Sequence, residues 1–117
     1  MAKAGSRPLV DVLDYGEVPT RLGMHFMATP APAVESMTGL AAGGCQMVLF
    51  STGVGNTVGN MVSTTVKVTG NTKTASALAD NIDFDCSEVL EKSTPMDDMA
   101  ESFHQYVMEV ASGRLTT

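Results

Sequence analysis

The sequence predicts an α/β fold: a three-layer, Rossmann-like and mostly parallel small sheet flanked by helices. Three observations predict it. Met47 to Phe50 is an apolar run with no polar alternation, the pattern of a strand covered on both faces within a parallel sheet. Gly23 to Ala28, a helical stretch and Met47 to Phe50 follow one another as strand, helix and strand, an order that is almost always wound right-handed when the two strands share a sheet. Towards the end, Met96, Met99, Ala100, Phe103, Tyr106, Val107 and Val110 form one apolar stripe at helical spacing, the mark of a helix laid on a core.

Taken in order, Leu9, Val12 and Leu13 recur at i, i+3 and i+4 behind Pro8, which fits a turn or two of helix better than a strand. Gly16 and Pro19 then force a connection. Gly23 to Ala28 reads as a strand ended by Thr29-Pro30-Ala31-Pro32. Val34, Met37, Leu40 and Ala41 carry the next helix, with Glu35 near its start, where the helix dipole favours an anion, and Gly43-Gly44 as its stop. Thr65 to Thr69 reads as the strand beside Met47 to Phe50. Thr72 to Ala79 is a short helix weakened by its β-branched threonines, and Asn81 to Cys86 alternates polar and apolar, as an edge strand does. Thr94 is the expected N-cap of the last helix, with Pro95 in its first turn, Asp97 three residues after the cap and Gly113 beyond its end.

The 117 residues make room for one domain, 1–117, and 44% of them are apolar, enough for a core. With 5% aromatic residues, no tryptophan and nine methionines, small and adaptable side chains must fill it. A formal charge of −6 with only seven scattered basic residues argues against a nucleic-acid partner, which needs clustered Lys and Arg. Cys45 and Cys86 form neither a disulfide framework nor a metal-finger spacing. No stretch reaches the eighteen or so apolar residues of a membrane span, and the N-terminus carries no apolar core of a secretory signal. The expected location is cytoplasmic, with no membrane and no nucleic acid as partner.

The chain is organised around Gln46 to Asn71, where the two apolar runs flank a loop holding Gly53, Gly55 and Gly59. Glycine lets the backbone come close to a ligand, while Thr52, Asn56, Thr57, Asn60 and Asn71 supply short polar groups. Such a loop at a strand's carboxyl end is the usual build of a ligand site in an α/β sheet; a plain glycine-rich surface loop is the competing reading. It is not a dinucleotide fingerprint, because the third glycine falls one residue late and β-branched residues follow, nor a phosphate loop, because no Gly-Lys-Ser/Thr follows. Lys67, between Val66 and Val68, must point to one sheet face, where it could bind a carboxylate or abstract a proton; a solvated strand lysine is its bland alternative. His25 and His104 read as structural. Asp80, Asp83 and Asp85 could hold a divalent ion through oxygens, but they lack the glycine hinge of a calcium loop and read better as a solvated acidic edge.

Seven ordered blocks carry a resemblance: PLVDVLDYGE (8 to 17), the Thr29-Pro30 turn, TGLAAGG (38 to 44), VLFSTG (48 to 53), VKVTGN (66 to 71), NIDFD (81 to 85) and EVASGR (109 to 114). Together they resemble the C-terminal portion of the altronate and galactarate dehydratase family over nearly the whole chain. The resemblance implies a fragment or excised domain of a longer enzyme, inactive without the remaining domains, that dehydrates a sugar acid to a 2-keto-3-deoxy acid with a divalent metal, commonly iron. It implies Lys67 as the catalytic candidate and Thr52, Gly53, Gly55 and Asn71 as contacts to the sugar-acid substrate or to the shell of the metal. Three positions depart from the family pattern. Ala28 and Ala31 replace the residues flanking Thr-Pro, an Asp and a Gly, and Val54 replaces an Arg whose guanidinium would clamp a carboxylate. A non-catalytic α/β scaffold whose site residues have drifted is the alternative, and self-association is expected of a domain cut from a larger one.

Overall fold

The computed structural model describes residues 5–91 and 94–115; the expectation for the extreme N-terminus falls partly on residues 1–4, outside the described residues. The chain gathers into two compact units. The first draws on the chain up to Gln46 together with Asn60–Ser63, the second on Met47–Gly59 and the chain from Thr64 onward.

The first unit is built on β1 (Leu9–Leu13) and β2 (Met24–Met27), paired in parallel, with the helix α1 (Ala33–Ala42). Leu9–Leu13 is therefore a strand and not the helix its spacing suggested. Spacing at i, i+3 and i+4 over five residues also fits an extended segment that buries only its ends. Here only Leu13 is buried while Val12 is 61% exposed. The pairing with β2, bulged between Leu9 and Asp11, decides the matter, and Arg21 reinforces it by donating to the Val10 carbonyl and pairing with Asp11 at 3.0 Å. The guanidinium and the Val12 amide hold the exposed Asp11 carboxyl below its ordinary range, the amide contributing most.

Met37 and Gly39 are the buried positions of α1. The Tyr15 ring stands where a side chain at residue 39 would sit, and its hydroxyl donates to the Glu35 carbonyl at 2.6 Å. The helix stops at Gly43, as the glycine pair predicts, with Gly44 at φ +95°. On β2, His25 Nε2 donates to the Arg21 carbonyl. That bond ties the strand to the preceding loop, a structural use of the ring.

The second unit holds β3 (Met47–Ser51), β4 (Thr64–Thr69) and β5 (Phe84–Asp85), all parallel in the order β3-β4-β5. The α/β class and the parallel pairing are as the sequence predicts, and β5 is the expected edge strand. The sheet is divided, however. β2 takes β1 as its hydrogen-bonding partner, so the strand, helix and strand at 24–51 join two sheets and do not form one right-handed unit within a single sheet.

β4 is the axis of this unit. Val66 is fully buried, and Val68 lies opposite Phe84 on the same face. The Phe84 ring meets Phe103 at 5.0 Å and Tyr106 at 5.5 Å, so α4 (Met96–Ala111) meets that face through the later part of its predicted stripe, with Val110 buried, whereas Met96, 66% exposed, and Ala100 stay open to solvent. Burial and the nearby Asp83 carboxylate push the Tyr106 phenol above its ordinary range. Pro95, rather than Thr94, occupies the N-cap. The Thr94 hydroxyl donates to Glu88 instead, and Asp97 and Asp98 supply the charge that favours the helix start. An apolar hollow of about 450 Å³ lies between the sheet's carboxyl edge, the one-turn helix α3 (Glu88–Glu91) and the first half of α4. Among the described residues no helix is long and apolar enough to cross a membrane.

The Cys86 thiol lines that hollow and donates to the Thr69 carbonyl. Burial, with Asp85 beside it, pushes its pKa up, whereas Cys45 is exposed. Because the thiolate is the reactive form, iodoacetamide near neutral pH is expected to alkylate Cys45 at least about tenfold faster than Cys86. Equal rates by mass spectrometry would contradict this burial.

Candidate functional site

Two parallel strands that end at the same edge bring their following loops together. The register places Phe50 beside Lys67 and Ser51 beside Val68, and the Thr52 amide continues the ladder onto the Val68 carbonyl at 3.0 Å. The chain leaving β3 therefore lies against the chain leaving β4. No helix makes the crossover; residues 52–63 return as an irregular loop, consistent with their many glycine, asparagine and threonine residues.

The first turn of that loop is tied down by side chains. Thr52 Oγ1 accepts from the Gly55 amide at 3.1 Å. Beyond β4, Asn71 caps α2 (Thr72–Ala77) by accepting from the Lys73 amide at 3.0 Å. Its other side-chain atom, Nδ2, donates to the Gly53 carbonyl at 2.9 Å. The Thr74 hydroxyl, on a residue only 7% exposed, donates to the same carbonyl at 2.9 Å. Gly55 adopts φ +89°, and a β-carbon there would run into the terminal methyl of Leu78 and the methyl of Thr74. Glycine is required at this point both for its conformation and for its closeness to α2.

Thr52, Gly53, Gly55 and Asn71 are thus gathered into one bonded cluster. Lys67 is not joined to it by any hydrogen bond or ion pair. It lies inside β4, with its amide donating to Asp83 at 2.7 Å and its carbonyl accepting from the Asp83 amide. Alternation along the strand puts its side chain on the face away from Val68 and Phe84. It is the one lysine or arginine on the described strands. The remaining polar loop residues shape the backbone: Asn56 Oδ1 accepts from the Val58 amide, and Asn60 Oδ1 from those of Val62 and Ser63, both in the manner of Asx turns.

Thr74 is a cluster member that sequence reasoning passed over, because a threonine in a short helix counts first as a weak helix former. The available signal was its position three residues after the capping Asn71, which puts both on the helix's first turn beside the glycine loop.

The acidic edge does not assemble a metal site. Asp83 is engaged with the Lys67 amide, and Asp85 accepts from the Ser87 amide at 2.8 Å. Among the described residues no group of three or more His, Cys, Asp or Glu is placed to hold an ion.

The model of the D-galactarate/altronate dehydratase C-terminal domain matches residues 1–117. Altronate dehydratase of Bacillus subtilis is 41% identical over 97% of this chain and 22% of its own length. The β subunit of (2R)-sulfolactate sulfo-lyase of Chromohalobacter salexigens is 35% identical over 97% of the chain and 30% of its own length. Galactarate dehydratase (L-threo-forming) of Escherichia coli is 28% identical over the whole chain and 22% of its own length. The chain spans less than a third of the length of these relatives. The residues that end β3 and β4 and tie their loops together therefore sit in a chain that belongs to the D-galactarate/altronate dehydratase family, as its C-terminal domain.

Proposed function

We propose that this chain supplies one wall of the substrate site in an enzyme that dehydrates a sugar acid of the altronate or galactarate kind to a 2-keto-3-deoxy acid. The observation that carries this reading is the Thr52–Gly55 turn, fixed by Asn71 and Thr74 at the edge where two parallel strands end. In such a reaction a base takes the proton beside the carboxylate, the β-hydroxyl departs as water on gaining a proton, and the enol formed rearranges to the keto acid. The turn holds and orients the polyol acid. Lys67, the cation of the sheet, stabilises the negative charge that grows on the carboxylate as the proton leaves. The divalent ion implied by the resemblance finds no donor set among the described residues, so its ligands would come from the remaining domains of the parent.

Those domains are the proposed partners, together with a second copy of the enzyme. Leu22 and Met61 are fully exposed and Val62 is 86% exposed, apolar surface of the kind that a neighbour covers. The proposed setting is the cytoplasm, where sugar acids are metabolised. A second reading, elimination of sulfite in place of water, is favoured by the sulfolactate relative alone; it uses the same proton abstraction with a different leaving group.

Assaying the full-length parent, with and without ferrous iron, on altronate, galactarate and sulfolactate tests these readings. Release of a keto-deoxy acid from the first two is expected. Sulfite from sulfolactate alone would select the second reading, and no turnover on any of them would leave a non-catalytic scaffold. In that parent, Lys67→Ala is expected to lower kcat/KM about tenfold, the worth of one charge contact in a partly solvated site. Its thermal midpoint should stay close to that of the parent. Unchanged kinetics would remove Lys67 from the site.

A further inference from the structure

The carbonyl oxygen of Gly53 is held by two donors, Asn71 Nδ2 and Thr74 Oγ1, each at 2.9 Å. No peptide bond among the described residues is cis. In a trans peptide plane the carbonyl and the following N–H point to opposite sides. Turning the Gly53 oxygen towards Asn71 and Thr74 therefore turns the Val54 N–H away from them. The next amide, that of Gly55, is already bonded to Thr52 Oγ1. Among the described residues the Val54 amide has no acceptor, and Val54 is 89% exposed. From Gln46 to Val66 the sequence holds no lysine or arginine, so an anion arriving at this turn meets main-chain donors and no guanidinium.

We propose that the Val54 amide is the donor that receives a carboxylate oxygen of the substrate, and that Thr74 and Asn71 are positioning residues acting through the Gly53 peptide plane. This rests on the reading of the substrate as a sugar acid. A donor fixed before the ligand arrives needs no reorganisation on binding, which is the advantage of an oriented main-chain amide over a free side chain. The arrangement also gives the exposed Val54 position a role that does not depend on its side chain: residue 54 supplies its N–H whatever its identity, proline excepted.

The test uses the full-length enzyme and altronate as the probe, with binding by calorimetry measured separately from turnover. Replacing the residue at 54 by its α-hydroxy analogue turns the Gly53–Val54 amide into an ester, which removes the N–H and also makes the Gly53 carbonyl a weaker acceptor for Asn71 and Thr74. It is expected to weaken altronate binding about tenfold, in line with a hydrogen bond to a charged group. Thr74→Val keeps the shape and loses the donor; it should raise Kd and KM about fivefold while changing kcat less than twofold, and Thr74→Ser should restore both. An ester variant that binds altronate as tightly as the parent overturns the donor role. A Thr74→Val enzyme with unchanged KM, or a Thr74→Ser enzyme as impaired as Thr74→Val, overturns the positioning role. Altronate that binds with this amide dependence but is not dehydrated leaves the donor standing and removes the dehydratase reading. No altronate binding by the parent overturns both.

Discussion

Phe84→Ala is expected to lower the stability of the protein by about 3 kcal/mol. A buried phenylalanine reduced to alanine costs roughly 3–5 kcal/mol, and Phe84 is only partly buried, which lowers that range. Its tilted contacts with Phe103 and Tyr106 at 5.0 and 5.5 Å restore part of the difference, because aromatic pairs contribute about 0.5–1.5 kcal/mol beyond the area they bury. The residue matters more than its two-residue strand suggests, since it is where the edge of the sheet meets α4. Guanidinium unfolding should show the loss, with a drop in thermal midpoint of roughly 15 °C for a unit of this size. Phe84→Leu keeps most of the apolar volume and should recover about half. A change below about 1 kcal/mol for the alanine variant would mean that α4 is held to the sheet by other contacts.

The same contact explains what was legible in the sequence. The helix α4 and the strands β3 and β4 could be read directly as elements, but the cover expected on both faces of β3 is not there: Val48 is buried while Leu49 is 49% exposed. β1 could not be read so directly. Over Leu9–Leu13 the helical and extended patterns coincide, and the choice is made by β2, whose residues pair with it from fourteen or fifteen positions along the chain. The pairing of β2 was missed for a related reason. Order along the chain says that strand, helix and strand succeed one another, but not which strand each will bond to, and β2 satisfies its backbone on β1. The shift from Thr94 to Pro95 at the start of α4 is smaller. A proline already carries the helical φ and lacks the amide that a cap would serve, so the threonine hydroxyl was free to bond Glu88.

Residue types marked the loop between β3 and β4 but not its wiring. The glycines and the short polar residues marked the stretch between β3 and β4, and Thr52, Gly53, Gly55 and Asn71 do converge. Which of them would act on the backbone and which would face a ligand depends on the register of two strands, and only the fold supplies that. Asn71 illustrates this: its oxygen serves α2 while its nitrogen reaches across to Gly53. Thr74 was marked only by its spacing from Asn71, and that it reaches the Gly53 carbonyl follows from the same register. The metal expectation came from resemblance alone, and Asp83 and Asp85 accept from the amides of Lys67 and Ser87.

Gly55→Ala is the second large effect, and it separates a turn held by packing from one that merely tolerates its conformation. At φ +89° an L-residue costs roughly 1–2 kcal/mol. Its new methyl would also meet Leu78 and lie 3.2 Å from the Thr74 methyl. Leu78 can swing its terminal methyl aside, so the steric part is about 1 kcal/mol, whereas the backbone strain has no such release. The stability loss should therefore be about 2–3 kcal/mol. The cheapest escape for the chain is to lift the turn from α2, which breaks the Thr52–Gly55 bond and slackens the hold on the Gly53 carbonyl. Altronate turnover by the full-length enzyme should then fall more than about tenfold. Gly59→Ala is the control: the same loop, no positive φ, and no atom within 4 Å of the added carbon. It should stay within about 0.5 kcal/mol of the parent. If the two alanine variants behave alike, the turn is not braced against α2, and the case for a preset donor at Val54 falls with it.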